Sequence, residues 1–268
     1  MTTPSFALTP SEARAYREDG FFVREAQFAP AELDAMRAAA ERVVAVAGAA
    51  AQASPAYAID GNRYVDTDGI TVQFEHAEGT ATIRVIEPFH HLDPLFDALL
   101  DDPRIVEPMR GVLGCDRVAV WTDKMNLKRP REGSRFRWHQ DTPYWTHVCA
   151  HVDRLPNVMV ALDDASERNG CFRVVRGSHT KGCLPGIHDG SRLGPLFTDP
   201  TAFDESRQVP IAVPAGSLVF FSPHTVHGSL PNESDEPRRA LVLTYQPAGF
   251  PMFKREGVRE AGAASAAG

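Results

Sequence analysis

The stretch Arg137-Trp138-His139-Gln140-Asp141-Thr142-Pro143-Tyr144-Trp145 lies near the middle of the 268-residue chain. Side chains two apart on a β-strand share a face. Read as a strand, the stretch sets His139 and Asp141 on one side, where both can bind one metal ion, and turns Gln140 the other way. A third ligand has to come from elsewhere in the chain. Two histidines and one carboxylate leave positions open on an octahedral ion, the ligand pattern of non-haem Fe(II) oxygenases.

With ten histidines in the chain, the spacing also occurs by coincidence, in His91-Leu92-Asp93 and His151-Val152-Asp153. Context separates the three. Asp93 stands before Pro94 at a helix start, where an N-cap explains it. His151 and Asp153 run into Arg154-Leu155-Pro156, a loop composition. His139 sits among Phe136, Trp138, Tyr144 and Trp145, aromatics that can wall a dry pocket. The third ligand is either His224 or His227, both following the apolar run Leu218 to Phe221. Gly228 allows close backbone approach and favours His227. Eleven residues beyond His227 comes Arg238. Its forked guanidinium suits the far carboxylate of a dicarboxylate by two parallel bonds. Arg239 would face the other way; the bland alternative makes both arginines surface charges.

Composition fits this reading. The chain is 43% hydrophobic and 24% charged, which is globular, and its net charge of −7 argues against nucleic acid or an anionic membrane as a partner. Cys115, Cys149, Cys171 and Cys183 form no CxxC pair, which suggests reduced thiols in a cytoplasmic protein. Residues 1–8 carry no signal-peptide pattern, and no apolar run is long enough to span a bilayer.

Along the chain, Thr9-Pro10-Ser11-Glu12 is a helix start with a capping box, and Gly20 a stop. A short strand follows at Phe21–Arg24. A second helix opens at Ala29-Pro30 and fades at Gly48. Short β runs fill Tyr57 to Ile86, with helices at 95–100 and 105–113. Strands are expected at Val118–Trp121, Lys124–Lys128, Val158–Leu162, Cys171–Val175, Val209–Val213, Ser217–Phe221 and Arg239–Gln246. Thr180 to Arg207, rich in Gly, Pro and Asp, is a long loop suited to a lid. Met252 to Gly268 looks like a frayed tail. Many short strands with helices concentrated on the N-terminal side predict one mainly β domain, a barrel or double-sheet jelly roll with flanking α-helices, its core over residues 8–248.

Taken together, three motifs resemble the phytanoyl-CoA dioxygenase family. They are Trp138-His139-Gln140-Asp141, then Asn169-Gly170-Cys171 through Gly177-Ser178-His179, then His227-Gly228-Ser229 through Asn232 to Arg238. Asp19-Gly20-Phe21-Phe22-Val23 is similar to that family's N-terminal signature. The resemblance covers about residues 8 to 248 and implies an Fe(II)- and 2-oxoglutarate-dependent dioxygenase on a cupin-like double-stranded β-helix. It implies that His139, Asp141 and His227 bind iron and that Arg238 rather than Arg239 grips the 2-oxoglutarate 5-carboxylate. It further implies Gln140, Ser229, Lys124 and Asn126 near the cosubstrate. Tyr144 and Trp145 are either substrate-side walls or core.

The implied chemistry consumes O2 and 2-oxoglutarate, releases succinate and CO2, and hydroxylates an unactivated C–H bond. Asp141 fills the position that related halogenases leave to a small residue, which favours hydroxylation over halogenation. Desaturation, cyclisation or epimerisation would use the same cofactors. A β-helix that binds metal without turnover is the rival of another class. The only dense basic run, Lys128-Arg129-Pro130-Arg131, would be needed for an acyl-CoA. A small-molecule metabolite is the preferred substrate. The oligomeric state is not written in the sequence.

Overall fold

The computed structural model describes residues 5–262. Thr9 caps α1 (Pro10–Asp19): its hydroxyl accepts from the Glu12 amide and its amide donates to the Glu12 carboxylate. Gly20 ends the helix at φ 89°, and a Cβ there would fall 2.6 Å from His179 Nδ1 and Thr225 Oγ1. The chain can therefore turn at once into β1 (Phe21–Arg24). α2 (Pro30–Gln52) buries Leu33, Met36, Ala39, Ala40, Val43 and Ala47 at helical spacing. It runs past Gly48, because that residue lies against Ile83 and the buried Ala51 extends the same face.

Next come β2 (Ala56–Ile59), β3 (Asn62–Thr67), β4 (Ile70–Phe74) and β5 (Ile83–Glu87), then α3 (Pro94–Leu99) and α4 (Pro103–Leu113). Asp93 caps α3 by accepting from the Leu95 amide, as its position before Pro94 predicts. β6 (Val118–Lys128) is a single eleven-residue strand rather than two. Its polar centre stays in the sheet because the buried Asp123 carboxylate accepts from the Phe89 and His90 amides and meets His90 Nδ1 at 2.6 Å.

β7 (Phe136–His139) leads into the single turn α5 (Thr142–Trp145). The remaining strands are β8 (Asn157–Ala161), β9 (Phe172–Val175), β10 (Gln208–Ile211), β11 (Leu218–Phe221), β12 (His227–Ser229), β13 (Arg238–Pro247) and β14 (Glu260–Ala261). They form two antiparallel sheets. The larger runs β1-β11-β8-β13-β6-β5-β4-β3-β2, with β14 also on β6; the smaller runs β10-β9-β12-β7. This is a jelly roll extended on one side by the β2–β5 meander.

Strand alternation sorts the core. Leu127 and Met125 of β6 and Leu241 and Leu243 of β13 face outward onto the helices, in one cluster with Val43, Phe96 and Met109. A second cluster joins the sheets through Met159, Phe172, Val174, Val219, Phe221 and Val242. The expected frayed tail is corrected as far as residue 262: Met252 is buried, Phe253 stacks on Trp121, and β14 pairs with β6. Residues 263–268 lie outside the described residues. Among the described residues, no helix is long and apolar enough to cross a membrane.

Residues 180–207 form the long connection expected, held by short 3-10 turns and by bridges from Phe197 to His139 and from Thr198 to Gly186. It closes one side of the space between the sheets.

Candidate active site

His139 ends β7 and His227 begins β12, directly opposite each other in the antiparallel register. Side chains facing one another across a strand pair lie on the same face, and the two rings stand 4.1 Å apart between centroids. β7 and β12 approach closely because residue 228 is glycine; a Cβ there would lie 2.8 Å from the Phe136 carbonyl oxygen. His227 rather than His224 is thereby the one brought to His139. His224 turns away to Asp153 at 2.8 Å and to the Thr142 hydroxyl at 3.0 Å.

Asp141 reaches the same point by a different route from the one expected. The strand stops at His139, and Asp141 takes helical φ −76° and ψ −27° at the start of α5. The bend, not strand periodicity, swings its carboxylate beside the histidines. Ligand atoms of His139, Asp141 and His227 all lie within 4.8 Å of one another, close enough to hold one metal ion.

Hydrogen bonds fix each group. His139 Nδ1 meets the Arg137 carbonyl at 2.8 Å, and His227 Nδ1 meets the Thr225 carbonyl at 2.8 Å. A carbonyl only accepts, so each ring carries its proton on Nδ1 and leaves the Nε2 lone pair for a metal. Burial lowers both histidines, His139 to about 3, which keeps the rings neutral. Burial raises Asp141, but the Lys124 ammonium beside it outweighs this and holds the carboxylate ionised. Lys124 Nζ lies 3.6 Å from Asp141 Oδ1. On the other oxygen, Asn157 Nδ2 donates at 2.9 Å, and the Thr244 hydroxyl donates to Asn157 Oδ1 at 2.6 Å. Two neutral imidazoles and one carboxylate are a donor set that suits Fe(II).

The triad opens on a cavity of about 1270 Å³. Arg238, Ser229, Lys124, Asn126 and Tyr144 line it. Arg238 is buried at 4% exposure, and its Nε has no hydrogen-bond partner among the described residues; nor has the Ser229 hydroxyl. Buried polar atoms ordinarily find partners, so an unpartnered cation in a cavity wall fits an anion. Lys128, opposite Arg238 in the β6–β13 register, donates to the carbonyls of Ser134 and Leu230. Burial, then Arg238 and Arg84, push Lys128 down to about 6. Arg239 faces the helices, paired with Asp163 at 2.8 Å and Glu41 at 2.9 Å.

Two expected cosubstrate and substrate residues fall outside the cavity. Gln140 is fully buried behind the triad; its amide donates to the Gly182 and His224 carbonyls and accepts from the Leu184 amide at 2.7 Å. It ties the lid to β7, and both of its N–H donors are already used. Trp145 packs with Trp121, Cys149 and Leu155, so it is core. Asn157 was not singled out from the sequence, although a fully buried asparagine opening an otherwise apolar strand is the signal that finds it. The hairpin wall from β2 to β4, with Tyr57 and Tyr64, was also missed; no local motif marks it.

A sequence profile of the phytanoyl-CoA dioxygenase family matches residues 16–240. The chain belongs to that family. The ectoine dioxygenase of Bordetella parapertussis is 29% identical over 259 residues, covering 89% of this chain and 75% of its own. The L-proline trans-4-hydroxylase of Streptomyces griseoviridis is 29% identical over 188 residues, covering 63% and 69%. Among solved structures, EctD from S. alaskensis with bound Fe superposes with TM-score 0.69 at 24% identity, over 95% of this chain and 82% of that one. The carbocyclase SnoK from nogalamycin biosynthesis gives TM-score 0.68 at 20% identity, over 97% and 99%. As a phytanoyl-CoA dioxygenase family member, the protein is an iron- and 2-oxoglutarate-dependent dioxygenase of the hydroxylase type.

Proposed function

We propose that His139, Asp141 and His227 hold the iron and that Arg238 receives the 5-carboxylate of 2-oxoglutarate, with Ser229, Asn126 and Lys124 around it. The oxidised substrate is a small-molecule metabolite that enters between the lid and the β2–β4 wall. The observation that carries this reading is the pairing of a converged triad with a buried, unpartnered Arg238 in one cavity.

Bound Fe(II) with 2-oxoglutarate and O2 supplies the oxidising power for an unactivated C–H bond, with succinate and CO2 as coproducts. The chain's share is positioning and exclusion of water. The Arg137 and Thr225 carbonyls orient the two imidazoles. Asn157 and Lys124 hold the Asp141 carboxylate against rotation. Tyr144 walls the substrate side, its ring centroid 6.0 Å from that of His139. A carboxylate ligand at residue 141 supports hydroxylation, since a small residue there would leave the position to halide.

An acyl-CoA substrate is disfavoured by the fate of its expected phosphate site. Lys128 is buried, Arg129 pairs with Glu41 and Arg131 with Asp235, each at 2.8 Å. Both arginines of the run are thus already paired within the fold. The relatives named for ectoine and L-proline point the same way, towards compact metabolites.

Anaerobic titration of Fe(II) and 2-oxoglutarate tests the reading through the visible charge-transfer band. The wild-type protein should develop the band, and Asp141→Ala and His227→Ala should each lose it together with 2-oxoglutarate-dependent succinate formation. A wild-type protein without the band would sink the oxygenase reading.

A further inference from the structure

The cavity lining carries two arginines that iron ligation, the cosubstrate and the ion pairs of the fold leave unused. Of its lining carboxylates, Asp141 belongs to the triad and Glu87 accepts from Lys254 and Thr122. Asp60 accepts from the Arg192 and Leu193 amides, Asp66 from Thr71 and Asp189 from Ser191. Only Asp68, in the β3–β4 turn, is left over among the described residues. The lining cations are different. Lys124 and Lys254 have acid partners and Arg84 donates to the Ser134 hydroxyl and the Arg135 carbonyl, but Arg135 and Arg137 make no side-chain hydrogen bond and no ion pair among the described residues.

Their placement is specific. Arg135, Arg137 and His139 are alternate residues on and just before β7, and all three line the cavity. Two residues of strand span about 7 Å, so the Arg137 backbone lies that far from the iron ligand His139. The Arg137 guanidinium lies 4.2 Å from the centre of the Phe197 ring. Phe197 is itself bridged to His139 by its backbone. Stacking on an aromatic face orients a guanidinium and leaves its N–H edge free. Asp189 on the lid feels this charge through space but bonds Ser191 instead, so the fork keeps its hydrogen-bonding edge for a planar or tetrahedral oxyanion.

We infer that the substrate carries an oxyanion group, a carboxylate or phosphonate, that is bound by Arg137 with Arg135 beside it while the carbon to be oxidised faces the triad. This rests on the proposed oxygenase reading, because it takes Arg238 as occupied by 2-oxoglutarate. The short separation along β7 sets the size: the oxyanion and the oxidised carbon belong to one compact molecule. The Arg137–Phe197 stack also makes the lid part of the recognition, so oxyanion binding and lid closure act together.

The test uses the full chain loaded anaerobically with Fe(II) and 2-oxoglutarate, whose charge-transfer band is recorded first. A panel of small acids is then titrated: α-amino acids including L-proline, straight-chain ω-carboxylic acids, and methylphosphonate. Each is matched with its uncharged amide or ester, and acetyl-CoA forms a separate arm. The expected result is that at least one acid perturbs the band, that its neutral partner does not, and that R137Q weakens the response about tenfold or more, as loss of a charged hydrogen-bonding partner does. R137K, which keeps the charge without the fork, should recover part of it. R135Q, an exposed side chain at the cavity mouth, should weaken the same acid and gives a second variant independent of any local fault in β7. Equal responses to acids and neutral partners, no response to any acid, a response to acetyl-CoA alone, or wild-type affinity in both glutamine variants would overturn the inference. Absence of the band before any acid is added reports instead on the iron site, so the two failures are told apart.

Discussion

The two faces of the β6–β13 strand pair carry charge in opposite ways. On the outer face, against α2, each cation has its acid: Arg239 holds Asp163 and Glu41, and Arg37 reaches Asp163 at 3.3 Å. On the inner face, one residue away on each strand, Arg238 and Lys128 face each other with no carboxylate ion pair among the described residues. The same strands thus supply a satisfied structural network and an unsatisfied site. A protein tolerates a buried, unpaired cation only against a cost, so its persistence marks the inner face as the one shaped by a ligand.

The sharpest way to break this comparison is to remove one arginine from each face. Arg238→Met should weaken 2-oxoglutarate binding by roughly 2–5 kcal/mol, about 30-fold or more, while the melting temperature holds or rises. Removing the outer-face acid should do the reverse. Asp163→Ala leaves Arg239 without its bidentate partner and should cost about 3 kcal/mol of folding stability, read by denaturant unfolding, with the KM for 2-oxoglutarate unchanged in the folded fraction. If both substitutions moved stability alone, the inner face would be structural too.

A smaller effect is expected behind the triad. Asn157→Leu should lower Fe(II) affinity about 10- to 100-fold, as loss of an outer hydrogen bond to a metal ligand does, measured by anaerobic titration. Retention of wild-type affinity would show that Lys124 alone positions Asp141.

A pH effect is expected at Lys128. Its pKa is about 6 in the fold against an ordinary 10.5. Between those values the unfolded chain binds a proton that the folded chain does not, so folding stability attributable to this group rises with pH across that window. Lys128→Met should flatten the rise when unfolding midpoints at pH 6.5 and pH 9 are compared with wild type. An identical pH slope in both would mean that Lys128 stays charged in the fold.

What the sequence made legible follows from how locally each feature is determined. The capping box at Thr9, the Asp93 cap and the turn at Gly20 are local, and all three form. Ordered motifs were enough to choose His227, because Gly228 records the close approach of β7 in the residue itself. The reason for Asp141 was misread: periodicity predicted a continuous strand, whereas Pro143 in the first turn of α5 and the Asp141 amide bonded to the Pro223 carbonyl bend the chain after His139. Gln140 points away from the cavity, as strand alternation predicts and against the place the resemblance gives it, and serves the lid. Trp145 shows the limit of aromatic content as a signal, since a pocket wall and a core read alike without tertiary neighbours. The C-terminal return onto β6 was hidden by an Ala- and Gly-rich composition, with only Met252 and Phe253 to announce it.

The Asp60 carboxylate accepts from the amides of Arg192 and Leu193 and so fastens the β2–β3 hairpin to the lid, across more than 130 positions of chain. Neither segment touches the iron ligands through this bond, yet both form the cavity mouth. The two segments are therefore one fastened unit: transplanting a lid from a relative without its hairpin would import half a latch. Exchanging them together is the move that would retune substrate scope while leaving the oxidising centre as it stands.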